Sequence, residues 1–449
     1  MKKAKKKAPK ASVGELLKAA TSAMESLDVE RAYEYYNRAA SQLQSEKPNE
    51  VKALIHVLEK MGECQVSIGD QDVAKGHFLQ SLRLLEGSTT ESERDANFYE
   101  THSSLCFYIG QLSLEKEALE AYQQGIRSLE ECIKHVEDEN SAAAAQNTVG
   151  MQDDTEDAKN SDSSTNTSED TNNMKSQALI RQKLSGAYCN LAELYLTDLC
   201  EEETAETDCE HNLEKALQLK DADGEPLVDA LQTMASLRLS QKERQLEAVP
   251  FVLRAYEKQR AGSEALAALV GLNVDKKKCE DKTEEKAQEL IEVEAASNLP
   301  EFEFRCQTAK LLLECAGLLK ESSNEVDISS NQFDQEDECV TAAISVLGSL
   351  LAQNDEVIEI WYLTGCAFAA KKPPLTDTAK FYLERAKEML TDIRKALKEE
   401  ETFIDELEQP EFVEQLEMNE IQLNDVQTKL DELPDESEGG SSDKMVEDD

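Results

Sequence analysis

Apolar residues recur along most of the chain at intervals of three and four, with charged residues between them, and strand-like alternation is rare. That period predicts amphipathic α-helices almost throughout, with prolines mostly at segment starts, where a missing N–H costs least. A second regularity is laid over the first. A small residue, a bulky one four positions on and a small one three further mark one helix. Twelve positions upstream another small residue lies in the preceding helix. Gly62 stands in this relation to Ala74, Phe78 and Ser81, and Cys106 to Ala118, Tyr122 and Gly125. Ala20 stands so to Ala32, Tyr36 and Ala39. A fourth copy carries Tyr188, Leu191, Ala192 and Tyr195, with its second helix displaced to Cys209, Leu213 and Ala216. In a fifth, Pro226 opens the unit and Ala248, Val252 and Ala255 mark its second helix; a sixth pairs 304–319 with 340–351. The last reads Trp361, Tyr362, Leu363, Gly365 and Phe368, then Ala379, Leu383 and Ala386.

Small residues let two helix axes approach, and the bulky residue fills the groove beside them. One such pair cannot hide its apolar face, so pairs must stack into a superhelix with a concave and a convex side. The fold class expected is all-α, a solenoid of about seven helix-turn-helix pairs. Gly62, Ala74, Phe78, Ala118, Tyr122, Trp361, Gly365, Ala379 and Ala386 are its expected packing residues.

Composition divides this regular chain. Residues 1–11 read as a basic tail, with six lysines and no acid in the first ten. Residues 137–176 carry ten acids against two lysines, rich in Ser, Thr and Asn, and read as a disordered acidic insertion. Shorter polar insertions fall at 275–298 and 321–337. Repeats one to three then occupy 12–136, and repeats four to seven 177–398. Residues 399–433 read as acidic amphipathic capping helices, because Leu416, Leu423 and Leu430 recur every seven residues over a stretch too short for a coiled coil. Residues 434–449 read as an acidic disordered tail. The whole chain has a formal net charge of −45, and about −25 remains on the repeats once tails and insertion are set aside. An acidic body argues against direct nucleic-acid binding, which needs clustered Lys and Arg, and favours a basic partner. No apolar run approaches the ~18 residues of a membrane span. Without a secretory signal, the eleven cysteines are expected to be reduced thiols of a cytoplasmic or nuclear protein.

The repeat resembles the tetratricopeptide-repeat (TPR) family, whose opening motif is close to the run Trp361, Tyr362, Leu363, Thr364, Gly365. The stretches 359–368 and 381–387, the acidic insertion and the acidic C-terminal extension are together similar to one branch of that family. Its members are dedicated assembly chaperones of the fourth protein of the large ribosomal subunit. The resemblance implies a chaperone that wraps a basic, extended loop of the newly made ribosomal protein and escorts it to the nucleus for ribosome assembly. It also implies that first helices line the groove. On that alignment Glu59, Glu63, Glu100, Phe107, Glu193, Glu359 and Tyr362 are the expected partner-binding residues of the concave face. The competing reading is an adaptor or scaffold subunit that binds a neutral peptide.

Other chemistry finds little support. The five histidines (His56, His77, His102, His135, His211) are read as making no metal-type pair with Cys or Glu, and no Gly-rich phosphate loop or GxSxG elbow occurs. Cys64, Cys106, Cys189, Cys315 and Cys366 fall at packing positions. Neither enzyme activity nor a cofactor or metal is expected, and the chain is expected to be a monomer. The positions of a heat-shock-chaperone tail clamp read Leu17, Thr21, Lys60, Glu100 and Ser104, with one cation among five, so no such clamp is expected. The segment 1–10 reads equally as a nuclear import signal or as a plain basic tail, and 161–171 as a candidate for acid-directed phosphorylation.

Overall fold

The computed structural model describes residues 11–149, 166–221, 223–272, 299–323, 330–400 and 409–434. Among these residues it contains fifteen α-helices, two short 3₁₀ turns and one isolated antiparallel bridge between Lys220 and Pro226. None of these helices is long and apolar enough to cross a membrane. The chain divides into two compact units, 1–233 and 234–449.

The first unit holds α1 (Val13–Glu25), α2 (Val29–Glu46), α3 (Val51–Ile68), α4 (Gln71–Ser88), α5 (Ala96–Gln111), α6 (Glu115–Val149), α7 (Asn166–Leu196) and α8 (Ala205–Gln218). Each packs on the next in chain order, as short turns require of antiparallel neighbours. Local chemistry sets the ends. Ser12 caps α1 in a reciprocal box with Glu15, and Asp28, Asp70 and Asp95 accept backbone N–H groups at the starts of α2, α4 and α5. Helix α3 stops at Gly69, whose φ of 95° is the left-handed conformation that favours glycine. Asp70 opens the next helix at once, so two residues reverse the chain.

Packing follows the small-large-small pattern. A Cβ on Gly62 would come within 2.6 Å of the Phe78 ring, so α3 and α4 approach as closely as they do only because the position is bare. Ala74, Phe78 and Ser81 are fully buried beside it, and the Ser81 hydroxyl donates to the Ile55 carbonyl at 3.3 Å. Ala118 and Tyr122 are buried in α6, with the Tyr122 ring against Gly110.

Helix α9 (Val228–Ser240) carries the change from the first unit to the second. The second unit continues with α10 (Ala248–Leu269), α11 (Phe302–Ser323), α12 (Ser330–Gln353), α13 (Ile358–Ala370), α14 (Thr376–Glu400) and α15 (Gln409–Asp431). Its core joins Ala235 and Leu239 of α9 to α10, α11, α12 and α13, and Ala248, Val252 and Ala255 are fully buried as the repeat pattern required. The fifth copy is not a simple hairpin, since α10 packs chiefly on α12. In the seventh, a Cβ on Gly365 would meet Leu383 Cγ at 2.6 Å, and Ala379 and Ala386 are fully buried. Trp361 is half-buried, its indole N–H donating to the Asp355 carbonyl at 2.7 Å.

The all-helical architecture read from the sequence is the one observed. The breaks between repeats are narrower than the polar composition suggested. Helix α6 runs on through Ala142–Ala145 to Val149, because alanine and glutamate propagate a helix without needing a core. Likewise α11 and α12 extend to Ser323 and from Ser330. What remains of the three expected insertions (150–165, 273–298 and 324–329), the first ten residues and the tail from 435 onward lie outside the described residues. Helix α15 packs on α14, burying Phe412 and Val426 and half-burying Leu416, Leu423 and Leu430.

Candidate functional site

In the first unit, α3, α5, α7 and the start of α9 bring a row of acids together. On α3, Glu59 and Glu63 lie one turn apart, with side chains 21 % and 26 % exposed. Lys60 reaches Glu63 at 2.7 Å, and the Tyr108 hydroxyl of α5 donates to the same carboxylate at 3.3 Å. Lys183 of α7 pairs with Glu100 of α5 at 2.6 Å. Nearly three turns further along α7, Glu193 faces Asp229 and Thr233 of α9.

These cations do not match the acids. Burial pushes the Glu59 carboxyl up, the neighbouring Glu63 adds to the rise, and Lys60, His56 and Lys183 only partly oppose it. Glu193 is raised first by burial and then by Asp229, with Thr233 opposing, while Asp229 is raised by burial alone. The tyrosines report the same field. Tyr108 is pushed up to about 12 by burial, then by Glu63 and Glu59, and Tyr122 is raised by burial and then by Glu193. Glu193 is open to water on its outer side, yet it sits in a cleft between α5, α6 and α7 lined by Gly110, Tyr122, Asn190 and Thr197. Its carboxylate is therefore reachable by a ligand and short of hydration. Partly dehydrated anions with too few cations attract an arriving Lys or Arg, which restores the charge balance.

Glu59, Glu63 and Glu100 thus gather around Lys60 and Lys183, and Glu193 lies with Asp229 further along α7. The other expected contacts each have a partner within the fold. Phe107 is half-buried with its ring pressed against Gly125 of α6, 6.2 Å from the Tyr122 ring centre, so it holds α5 to α6. In the second unit Glu359 is paired with Lys310 of α11 at 2.8 Å and accepts from the Cys306 thiol. Tyr362 packs into the cluster of Leu383, Leu390 and Val426, because α15 folds over the face that repeat alignment leaves bare. Alignment also missed Asp229, Thr233 and Lys183. Asp229 sits in the first turn of a helix whose repeat register is lost, and it was legible only as an acid following Pro226.

A second polar cluster corrects the reading of the histidines. His102 and Cys106, four residues apart on α5, do meet, Nδ1 to Sγ 3.6 Å. The same Nδ1 lies 2.8 Å from the Ser128 hydroxyl of α6, and Nε2 lies 3.3 Å from Glu86 of α4. A histidine between a carboxylate and a hydroxyl resembles a nucleophile's relay, but Ser128 and Cys106 are buried and burial pushes the Cys106 thiol up to about 12. A thiol held protonated and away from solvent is a packing group, not a nucleophile. Among the described residues no group of three His, Cys, Asp or Glu could hold a metal ion.

No family model matches this chain. A protein of Schizosaccharomyces pombe (strain 972 / ATCC 24843) named "Probable assembly chaperone of rpl4" is 26% identical over 215 residues, which are 48% of this chain and 47% of that one. The chain thus matches about half the length of that curated relative. Among solved structures, the assembly chaperone of RpL4 (Acl4, residues 1–338) is 21% identical, with 80% of this chain and 95% of that one covered at a TM-score of 0.48. The S. pombe nuclear import adaptor Nro1 is 12% identical, with 82% and 98% covered at a TM-score of 0.41. Across about half its length, then, the chain is similar to a protein named for the assembly of rpl4.

Proposed function

We propose that the chain is a dedicated, non-enzymatic chaperone that binds a newly made basic protein of the large ribosomal subunit, shields its basic extended segment and escorts it to the nucleus. The client class comes from the relative's name, which points to rpl4. The observation that carries the reading is the wall of Glu59, Glu63, Glu100, Glu193 and Asp229, which outnumbers its two lysines and holds three carboxyls above their ordinary range. A basic segment evolved to lie against RNA binds polyanions and aggregates when free. Many shallow ion pairs mask it better than one deep pocket, because they tolerate register shifts and release as RNA competes. Each pair contributes about 0.2–1 kcal/mol and is screened by salt. Long-range attraction between wall and client also speeds capture.

Affinity purification of the tagged chain is expected to recover one basic ribosomal protein in near-equal amount. Its affinity is expected to fall steeply as salt rises from 50 to roughly 500 mM, where the Debye length shrinks toward a few ångströms. Recovery of unrelated proteins, or a salt-independent contact such as a scaffold makes with a neutral peptide, overturns the reading.

A further inference from the structure

Helix α15 covers its neighbours with one stripe of residues and leaves another apolar stripe open. Phe412, Asn419 and Val426 are buried, whereas Met418 and Ile421 are 51% and 55% exposed. Beside them on α14 Ile393 is 44% exposed, and Ile358, Leu390, Leu397 and Met418 line a groove of about 660 Å³. At the groove's edge Asn419, 4% exposed, donates through Nδ2 to the Leu390 carbonyl at 3.0 Å. That bond fixes which way the amide points. It leaves Oδ1 buried and without a donor among the described residues. A groove with an aliphatic floor and Glu414, Gln415 and Gln422 along it has the make-up of a peptide site: an apolar side chain fills the floor and the polar groups meet the peptide's own donors.

The charge around it selects the peptide. Helix α15 carries Glu411, Glu414, Glu417, Glu420, Asp425 and Asp431 against Lys429 alone. Arg394 of α14 is already engaged with Glu420. We infer that this groove binds an aliphatic or aromatic anchor side chain flanked by basic residues, supplied by the basic client. The inference rests on the chaperone reading and adds to it a second kind of contact. The wall of the first unit takes charge without regard to sequence, and the groove takes a particular apolar residue, so the groove confers selectivity for the client over other basic chains.

Two probes separate the two contacts: purified rpl4 and a 20-residue oligolysine, each titrated against the full-length chain. Met418→Glu, a change at an exposed position, is expected to weaken rpl4 binding about tenfold or more and to leave oligolysine binding within twofold. Met418→Leu is expected to keep both, and melting curves of the two variants should overlay the parent. Unchanged rpl4 affinity in Met418→Glu overturns the groove, as does equal loss of both probes. Failure of the parent chain to bind either probe overturns instead the chaperone reading itself.

Discussion

Glu193 and Glu359 are acids expected to contact the partner, one in each unit, and their surroundings are opposite. Lys310 meets Glu359 at 2.8 Å, so that carboxylate is satisfied within its own unit. Glu193 is partly dehydrated by burial and meets another acid, Asp229, with the Thr233 hydroxyl easing it. The two positions look alike in sequence, each a glutamate on the groove-facing side of a helix. What separates them is the residue that the neighbouring helix contributes: a lysine in one case, an aspartate in the other. An acid that its own protein neutralises stabilises the fold, whereas an acid left in want of a cation is available to a partner.

The largest effect comes from removing the scaffold on one side of the comparison. Phe78 fills the groove that Gly62 opens, and Leu383 plays the same part against Gly365. Phe78→Ala is expected to cost about 3–5 kcal/mol and Leu383→Ala about 2–5 kcal/mol. Differential scanning calorimetry should show each variant lowering the melting of its own unit. Binding then tells the units apart. Oligolysine affinity should collapse at the temperature where the Phe78→Ala unit melts, and should survive in Leu383→Ala. Equal loss in both would mean that the wall of the first unit is not the cation site.

The helices were legible because their cause is local: apolar period, capping residues, and small residues spaced twelve apart at Gly62–Ala74 and Cys106–Ala118. Repeat alignment also singled out Glu59, Glu63, Glu100 and Glu193, four of the five acids on which the proposed wall rests. What alignment does not carry is the identity of the neighbour across the gap. Tyr362 lies on the right face and is nevertheless covered by α15, and Phe107 turns toward Gly125. Lys310 cancels Glu359, and Asp229 augments Glu193. Those outcomes depend on tertiary approach between segments whose spacing in the chain is irregular.

Neutralising the acids sharpens the contrast at a smaller scale, and does so with opposite signs. Glu193→Gln combined with Asp229→Asn is expected to weaken oligolysine binding about tenfold at low salt, the sum of two exposed ion pairs. Glu359→Gln should change it by less than about twofold. Thermal stability should move the other way. Removing a repulsion between partly dehydrated acids should raise the melting temperature of the first variant by about 1–2 °C, a modest figure because solvent reaches Glu193. Glu359→Gln leaves Lys310 without its partner and should lower it by a similar amount. Stability curves that shift in the same direction for both variants would erase the distinction drawn between the two glutamates.

The smallest effect separates two kinds of buried titratable group within the first unit. Glu59, Glu193 and Asp229 have folded-state pKa values above their ordinary 4.5, 4.5 and 3.8. As pH falls toward those values the folded chain takes up these protons before the unfolded chain does, so this set adds stability on acidification. His102 and His77 do the reverse. Burial lowers both below 6.5, and at His102 the nearby Arg94 lowers it further while Glu86 opposes. Below about pH 6.5 the unfolded chain binds those protons first, so the histidines remove stability as pH falls. As pH falls from neutrality the two slopes oppose each other. In the Glu193→Gln, Asp229→Asn variant part of the compensating slope is gone. Its melting temperature should start above the parent at pH 7, and the gap should narrow by about a degree by pH 5. Parallel curves over that range would show that the wall carboxyls are ordinary hydrated acids, with no unmet demand for a cation.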